Sequence, residues 1–118
     1  MQYLLLIYGN ETQFSKMSSP ERDKILGEYM DYTKSIAGSG QYRGGNELDV
    51  TAKATTVRLR DGKRLVTDGP FAETKEQLGG YYLVDAKDLD EAISLAARIP
   101  SARWGSIEVR PIIPHDMP

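Results

Sequence analysis

Three segments of the chain have the patterns of apolar residues that are typical of β-strands. Residues Tyr3–Tyr8 form an apolar run closed by glycine and asparagine, which favours a buried strand over a two-turn helix. Residues Gly80–Ala86 are also apolar on both faces, a pattern typical of a strand covered on both sides. Residues Ser106–Ile112 alternate apolar and polar positions, which predicts a strand with one face in water.

Helical spacing of apolar residues follows Ser18, which with Pro20 and Glu21 is typical of a helix start. The predicted helix runs to about Ala37, where a glycine pair ends it. Its expected apolar stripe consists of Ile25, Leu26, Tyr29, Met30, Thr33, Ile36 and Ala37.

A second helix and a hairpin are predicted further along the chain. Asp88 begins the helix as an acidic cap, and Pro100 prevents its extension. Residues Ala54–Arg60 and Lys63–Thr67 flank the pair Asp61-Gly62, which suits a tight hairpin turn.

Residues Gln41–Leu48 are predicted as a further strand, although Gly44 and Gly45 interrupt it and mark a bulge or a close backbone approach. With the hairpin set aside, the order of elements is βαββαβ. This is the ferredoxin-like α+β arrangement, with two helices on one face of an antiparallel sheet. We therefore predict one domain over residues 1–118, with an inserted β-hairpin.

The two helices cover only one face of such a sheet, although two of its strands are apolar on both faces. Exposure of Leu4 and Leu6 would forgo about 1.5–3 kcal/mol for each side chain. The hairpin could fold across part of the uncovered face, but a second copy of the sheet would cover more of it and satisfy two-fold symmetry. We therefore expect a homodimer built sheet to sheet.

Composition excludes several classes of function. Seventeen acidic residues against fifteen basic residues give a net charge of −2, with the signs interspersed, so direct binding of nucleic acid is not expected. The absence of cysteine excludes disulfides, zinc-thiolate sites and a cysteine nucleophile. His115 is the one histidine, so a single copy of the chain cannot form a metal site from several histidines. We therefore expect no metal or cofactor.

The apolar run at the N-terminus has no basic leader and is too short for a secretory signal. No segment approaches the roughly 20 apolar residues that cross a membrane. We therefore expect a cytoplasmic protein that binds no membrane.

Asp68 is the strongest candidate for catalysis, because it ends a strand before a Gly-Pro turn and would face a pocket from rigid backbone. The alternative is that Asp68 caps the turn by accepting backbone N–H groups. Gly69 and Pro70 are interpreted as turn residues, and Phe71 as an anchor of the loop in the core. Glu73 either forms a carboxylate couple with Asp68 for acid–base work or belongs to a solvated charged run.

Tyrosine is frequent, with seven residues against two phenylalanines and one tryptophan. Its ring buries apolar area while its hydroxyl seeks a hydrogen bond, which suits a half-polar cavity. We therefore expect Tyr8, Tyr29 and Tyr82 to bind a substrate, with Arg58 as an anion contact. The alternative is ordinary packing in the core and in a dimer interface.

The segment Val66–Tyr81, with Asp-Gly-Pro-Phe at residues 68–71, resembles the DGPF branch of the YCII-related family. The opening strand and the segments Ala54–Arg58 and Ser106–Pro111 resemble it too. The resemblance implies a dimeric α/β-barrel, and it suggests a sigma factor of the extracytoplasmic-function type as a partner, because some members are encoded beside one. Better-studied relatives carry a histidine on the first helix; Tyr29 stands near that place here, and tyrosine is not a base near neutral pH.

Three hypotheses follow. The first is a dimer that encloses a small-molecule pocket, in which Asp68 serves a cofactor-free lyase, isomerase or hydrolase-like reaction. The second is a non-catalytic accessory module that binds a sigma factor. The third is a stable dimer in which the Asp-Gly-Pro-Phe motif serves folding alone. We favour the first.

Overall fold

The computed structural model describes residues 1–115, which form six strands and three α-helices. The strands are β1 (Gln2–Gly9), β2 (Tyr42–Glu47), β3 (Thr55–Arg60), β4 (Lys63–Asp68), β5 (Gln77–Asp85) and β6 (Ser106–Pro111). The helices are α1 (Glu11–Ser15), α2 (Ser19–Gly38) and α3 (Leu89–Ala97). Short 3-10 turns cover Thr51–Lys53 and Pro100–Arg103.

Four strands form an antiparallel sheet in the order β2-β5-β1-β6. With the hairpin set aside, this order and the two longer helices give the ferredoxin-like α+β fold that the sequence predicts. The doubly apolar strands β1 and β5 lie at the centre, with Leu5 opposite both Tyr82 and Val109. Leu5 and Tyr82 of these strands enter the core on the helix side, whereas Leu4 and Leu83 on the other face stay partly exposed.

The core lies between the sheet and the helices. The largest fully buried side chains in it are those of Leu5, Ile36, Val84 and Ile99. The rings of Tyr32 and Tyr82 meet edge to face at 5.2 Å between centroids, and the Tyr32 hydroxyl donates to the Leu95 carbonyl at 2.8 Å. The side chain of Tyr32 therefore joins α2 both to the sheet and to α3.

Helix α2 begins with the predicted capping box, in which the Ser18 hydroxyl accepts from the Glu21 amide and the Glu21 carboxylate accepts from the Ser18 amide. The predicted apolar stripe is only partly correct. Leu26 and Met30 are 56% and 54% exposed, whereas Tyr32, outside the predicted stripe, is buried. The sheet accepts the narrower face that contains Tyr32, and the flank with Leu26 and Met30 stays outside the core.

Strand β2 lies at an edge of the sheet and contains the interruption that its glycines predict. Its register against β5 shifts between Tyr42 and Gly44, which leaves Arg43 in a bulge. At Gly45 a Cβ atom would lie 2.9 Å from the Tyr81 carbonyl oxygen, so this residue marks a close backbone approach.

Strands β3 and β4 form the predicted hairpin, which is a separate two-stranded sheet. Asp61 and Gly62 form its turn, with φ of 53° and 73°. The hairpin does not fold back across the four-stranded sheet: the only extensive contacts of β3 and β4 in the described chain are with each other. The radius of gyration is accordingly 16.4 Å, against about 13.5 Å for a compact chain of this length.

The face of the four-stranded sheet that points away from the helices is uncovered. The shortest extent of the molecule is 20 Å, which accommodates the sheet and one helix layer, because packed layers lie about 10 Å apart. The accessible surface is 8575 Å², about 2,200 Å² more than a compact monomer of 13.2 kDa exposes. We call this uncovered side the open face.

Candidate functional site

The open face carries an apolar strip on its two central strands. Leu4 pairs with Leu83, and Leu6 pairs with Tyr81, across the β1–β5 ladder. Leu6 is 9% exposed, although it does not belong to the core between the sheet and the helices. The strip therefore offers an apolar floor for another molecule.

Two hydrogen-bonded pairs border this strip. The Tyr8 hydroxyl donates to a Glu108 carboxylate oxygen at 3.2 Å, and the Asn46 amide donates to the Tyr81 hydroxyl at 2.8 Å. Desolvation, followed by the hydrogen bond and negative charge of Glu108, raises the pKa of Tyr8 above its usual value. Tyr8 is therefore neutral near pH 7 and acts as a hydrogen-bond donor.

The loop between β4 and β5 begins with a fixed turn. Gly69 has φ of 96°, a conformation that favours glycine. Its N–H donates to the Ala54 carbonyl at 2.7 Å, and its carbonyl accepts from the Thr56 hydroxyl at 2.8 Å. These bonds hold the turn through the backbone and Thr56, and the side chain of Asp68 is exposed at the end of β4.

The loop ends beside Tyr8. The Ser106 hydroxyl donates to the Glu76 carboxylate at 2.7 Å, and Ser106 is opposite Tyr8 in the β1–β6 ladder. A second connection runs through Glu11, whose amide donates to the Gln77 side chain at 3.0 Å. The Glu11 carboxylate in turn accepts from the amide and hydroxyl of Thr51, both at 2.8 Å. The loop between β4 and β5, which contains the Asp-Gly-Pro-Phe motif, thus lies beside the Tyr8 end of the open face.

A cleft of about 250 Å³ opens where this loop meets the sheet. Its lining residues are Thr51, Pro70, Ala72, Glu73, Thr74 and Gln77. Glu73, predicted as a partner for Asp68, is exposed in this lining. Gln77 also begins β5 and pairs with Gly9, so the cleft lies at the same end of the sheet as Tyr8.

The prediction that Phe71 anchors the loop in the core is wrong for the single chain, because its side chain is 79% exposed. The loop passes outside the sheet and leaves the aromatic ring no core surface to contact. A phenylalanine so exposed is a surface on which another molecule can pack.

The structure separates the predicted substrate-binding tyrosines. Tyr82 is buried on the helix side, where its hydroxyl is 2.7 Å from that of Thr33, and Tyr29 on the same side bonds to Ser101. Burial raises the pKa of both tyrosines. Strand alternation explains the separation, since Tyr82 points away from the face that carries Tyr81. Tyr8 lies on the open face.

Arg58, the predicted anion contact, lies half-buried on β3 opposite Leu65. Asn46 and Glu108 also lie on the open face, although the sequence did not indicate either of them as a site residue. The alternation of β6 carries a signal for Glu108, since Ile107 and Val109 pack against the core and leave Glu108 on the other face.

Another groove, of about 390 Å³, lies between α2 and the segment around the end of α3. Its arginines are engaged within the chain: Arg103 pairs with Glu28, and Arg98 donates to the Ser35 hydroxyl at 2.6 Å. The open face differs in carrying a continuous apolar strip between its hydrogen-bonded pairs, so we take the open face as the candidate site.

Within residues 1–115, no group of three or more histidine, aspartate or glutamate side chains is arranged to hold a metal ion. The helices described here are too short or too polar to cross a membrane.

Comparison with known proteins shows the family of the chain. The model of the YCII-related domain matches residues 1–116. An uncharacterised protein of Rhizobium meliloti (strain 1021) is 38% identical over 114 residues, which cover 95% of this chain and 92% of that protein. The chain therefore belongs to the YCII-related family.

Proposed function

We propose that two copies of the chain pair through their open faces in the cytoplasm and that the chamber between them binds a small organic molecule. The observation that carries the proposal is the apolar strip of the open face, in which Leu4 and Leu83 are partly exposed around the buried Leu6, with tyrosine hydroxyls at its border. The surface excess of about 2,200 Å² per chain supports it, because obligate dimers bury about 2,000–5,000 Å² in total.

The residues of the site define the class of ligand. The apolar strip of the open face suits a ligand with an apolar body. The neutral Tyr8 hydroxyl and the Tyr81–Asn46 pair suit polar groups at the ends of that ligand. Asp68 is the group that would orient the ligand or transfer a proton, whereas Arg58 points to the opposite face of the β3–β4 hairpin. These roles fit a cofactor-free lyase, isomerase or hydrolase-like reaction.

Sedimentation velocity tests the pairing. Between about 1 and 100 µM, the wild-type chain is expected to sediment with twice the 13.2 kDa mass of one chain. A single-chain mass throughout this range contradicts the proposal, since the open face would then be stable in water.

Thermal denaturation with a panel of small organic acids, amides and phenols tests the role of Asp68. Compounds that raise the melting temperature of the wild type are expected to lose this effect in Asp68→Asn. The matched control is Asp61→Asn at the far end of the hairpin, because asparagine also tolerates the positive φ of that turn. Equal shifts in Asp68→Asn and in the wild type would remove Asp68 from the site.

A second candidate is an accessory module that binds a protein such as a sigma factor of the extracytoplasmic-function type. The exposed ring of Phe71 favours it, since it offers a contact for a partner. Co-purification with a sigma factor encoded beside the gene tests it. Loss of this binding in Phe71→Ser would support it, and failure of the wild type to co-purify would contradict it.

A further inference from the structure

We infer that the β3–β4 hairpin is an arm that holds the second subunit through one of its two faces, and that this face places Asp68 at the boundary between the subunits. The inference rests on the proposed pairing of two chains. It adds which other part of the chain forms the interface, and it makes the chamber a composite site.

The register of the hairpin separates two chemically different faces. The pairs Val57–Val66, Thr55–Asp68 and Leu59–Arg64 point to one side, because alternate residues of a strand share a face. We call this side the apolar hairpin face. The pairs Thr56–Thr67, Arg58–Leu65 and Arg60–Lys63 form the other side, which has three cations and one leucine.

The apolar hairpin face is exposed along its length. Val57 and Val66 are each 58% exposed, and Leu59 is 68% exposed. An isolated two-stranded ribbon is marginally stable in water and needs a surface on which to pack. Residues 1–115 of the same chain do not provide this surface, because neither β3 nor β4 packs extensively on another element.

The area of exposed surface indicates that a second copy covers this face. Four strands about 4.8 Å apart, with about seven residues of 3.4 Å each, give the open face a projected area of roughly 500 Å². Even doubled for the relief of its side chains, that area is less than half of the surface excess of about 2,200 Å². The hairpin contributes to the rest of the excess, because all six residues of β4 and four of the six residues of β3 are exposed. In a dimer with two-fold symmetry, the hairpins of both chains would be buried in equivalent contacts.

The charges on the two surfaces are compatible with this pairing. The apolar hairpin face has Asp68 at its base and Arg64 near its tip, and the open face has Glu108 and Arg110 beside the leucine strip. Each surface thus carries at least one group of each sign at the border of an apolar patch. Two copies can therefore meet with opposite charges adjacent.

Threonine substitution on one hairpin face tests the contact. The double variant Val57→Thr/Val66→Thr keeps the shape and strand preference of valine but places four hydroxyls in the paired interface. Sedimentation is expected to show a dimer dissociation constant roughly 100-fold or more above that of the wild type. The matched control Leu65→Thr changes the opposite face and is expected to remain within about threefold.

Thiol labelling tests the position of Asp68, because the chain has no cysteine of its own. In Asp68→Cys, labelling is expected to be at least about tenfold slower in the dimer than in the diluted monomer. Lys63→Cys, on the other face, is expected to react at one rate in both. If Asp68→Cys does not dimerise, Thr55→Cys reports on the same face, since residue 55 is opposite residue 68.

The outcomes separate this inference from the proposed function. A wild-type chain that sediments as a monomer overturns both. A dimer that tolerates Val57→Thr/Val66→Thr, or that Leu65→Thr weakens equally, overturns only the arm. If dimerisation slows the labelling of Asp68→Cys no more than that of Lys63→Cys, Asp68 does not lie at the subunit boundary.

Discussion

Removal of the Tyr82 hydroxyl tests whether this residue serves the core or a binding site. In the structure this hydroxyl lies 2.7 Å from the Thr33 hydroxyl, which itself donates to the Tyr29 carbonyl at 2.9 Å. Because the Thr33 hydroxyl donates its only proton to that carbonyl, the Tyr82 hydroxyl is the donor in the bond to Thr33. The pair is therefore a directed hydrogen bond between α2 and β5.

The two single variants should differ in cost. Tyr82→Phe removes one hydrogen bond and orphans no donor, so we expect the free energy of unfolding to fall by about 1 kcal/mol. Thr33→Val leaves the buried Tyr82 hydroxyl without its acceptor, and we expect a loss of about 1–3 kcal/mol. The double variant should lose less than the sum of these values, by about 1 kcal/mol.

Thermal and urea denaturation followed by circular dichroism measure these differences. For a chain of 118 residues, 1 kcal/mol corresponds to about 4 °C in melting temperature. All variants need one protein concentration, because the stability of a dimer depends on it. Strict additivity of the two single changes would refute the direct bond, and an unchanged stability of Tyr82→Phe would refute the structural role of its hydroxyl.

Three further outcomes are expected. Gly45→Ala should destabilise the chain by about 2 kcal/mol or more and expose β2 to hydrogen exchange, because its Cβ would lie 2.9 Å from the Tyr81 carbonyl oxygen; protection equal to wild type would contradict this. Asp88→Ala should cost about 1 kcal/mol in urea denaturation, because its carboxylate accepts from the Glu91 amide at 2.9 Å, whereas the exposed Asp90→Ala should cost less. The free energy of unfolding should be independent of tyrosine ionisation below about pH 10 and fall above it, by up to about 1.4 kcal/mol per pH unit and tyrosine. The reason is that burial raises the pKa of three phenols on the helix side of the sheet, so folding favours their neutral form. A flat profile up to about pH 11.5 would contradict this prediction. These phenols belong to Tyr29, Tyr32 and Tyr82.

The strands and their order could be predicted from local patterns. The element order βαββαβ predicts a ferredoxin-like sheet whose first and third strands are central, and β1 and β5 are the two strands at the centre. The turn at Asp61-Gly62 and the cap at Ser18 were predictable because each depends on the chemistry of a few adjacent residues.

The rotation of α2 and the position of Phe71 could not be predicted in this way. The apolar flank of α2 is wider than the face the sheet accepts, and the hydrogen bond from Tyr32 to Leu95 fixes the rotation from a distant part of the chain. For Phe71, apolarity predicts that the ring is covered by something, but it does not say whether that surface belongs to the same chain. The same limit applies to Tyr82, whose hydroxyl suits a cavity and the core equally.

The bulge at Arg43 has a consequence for how the protein avoids uncontrolled polymerisation. An outer strand with free backbone groups is a template on which further chains can grow. Here the Arg43 guanidinium occupies the Gly40 and Tyr42 carbonyls at 2.7 and 3.0 Å and pairs with Asp85 at 2.7 Å. The strand is thereby kinked and capped by a charge, so growth of β-ribbons along this side of the sheet is disfavoured.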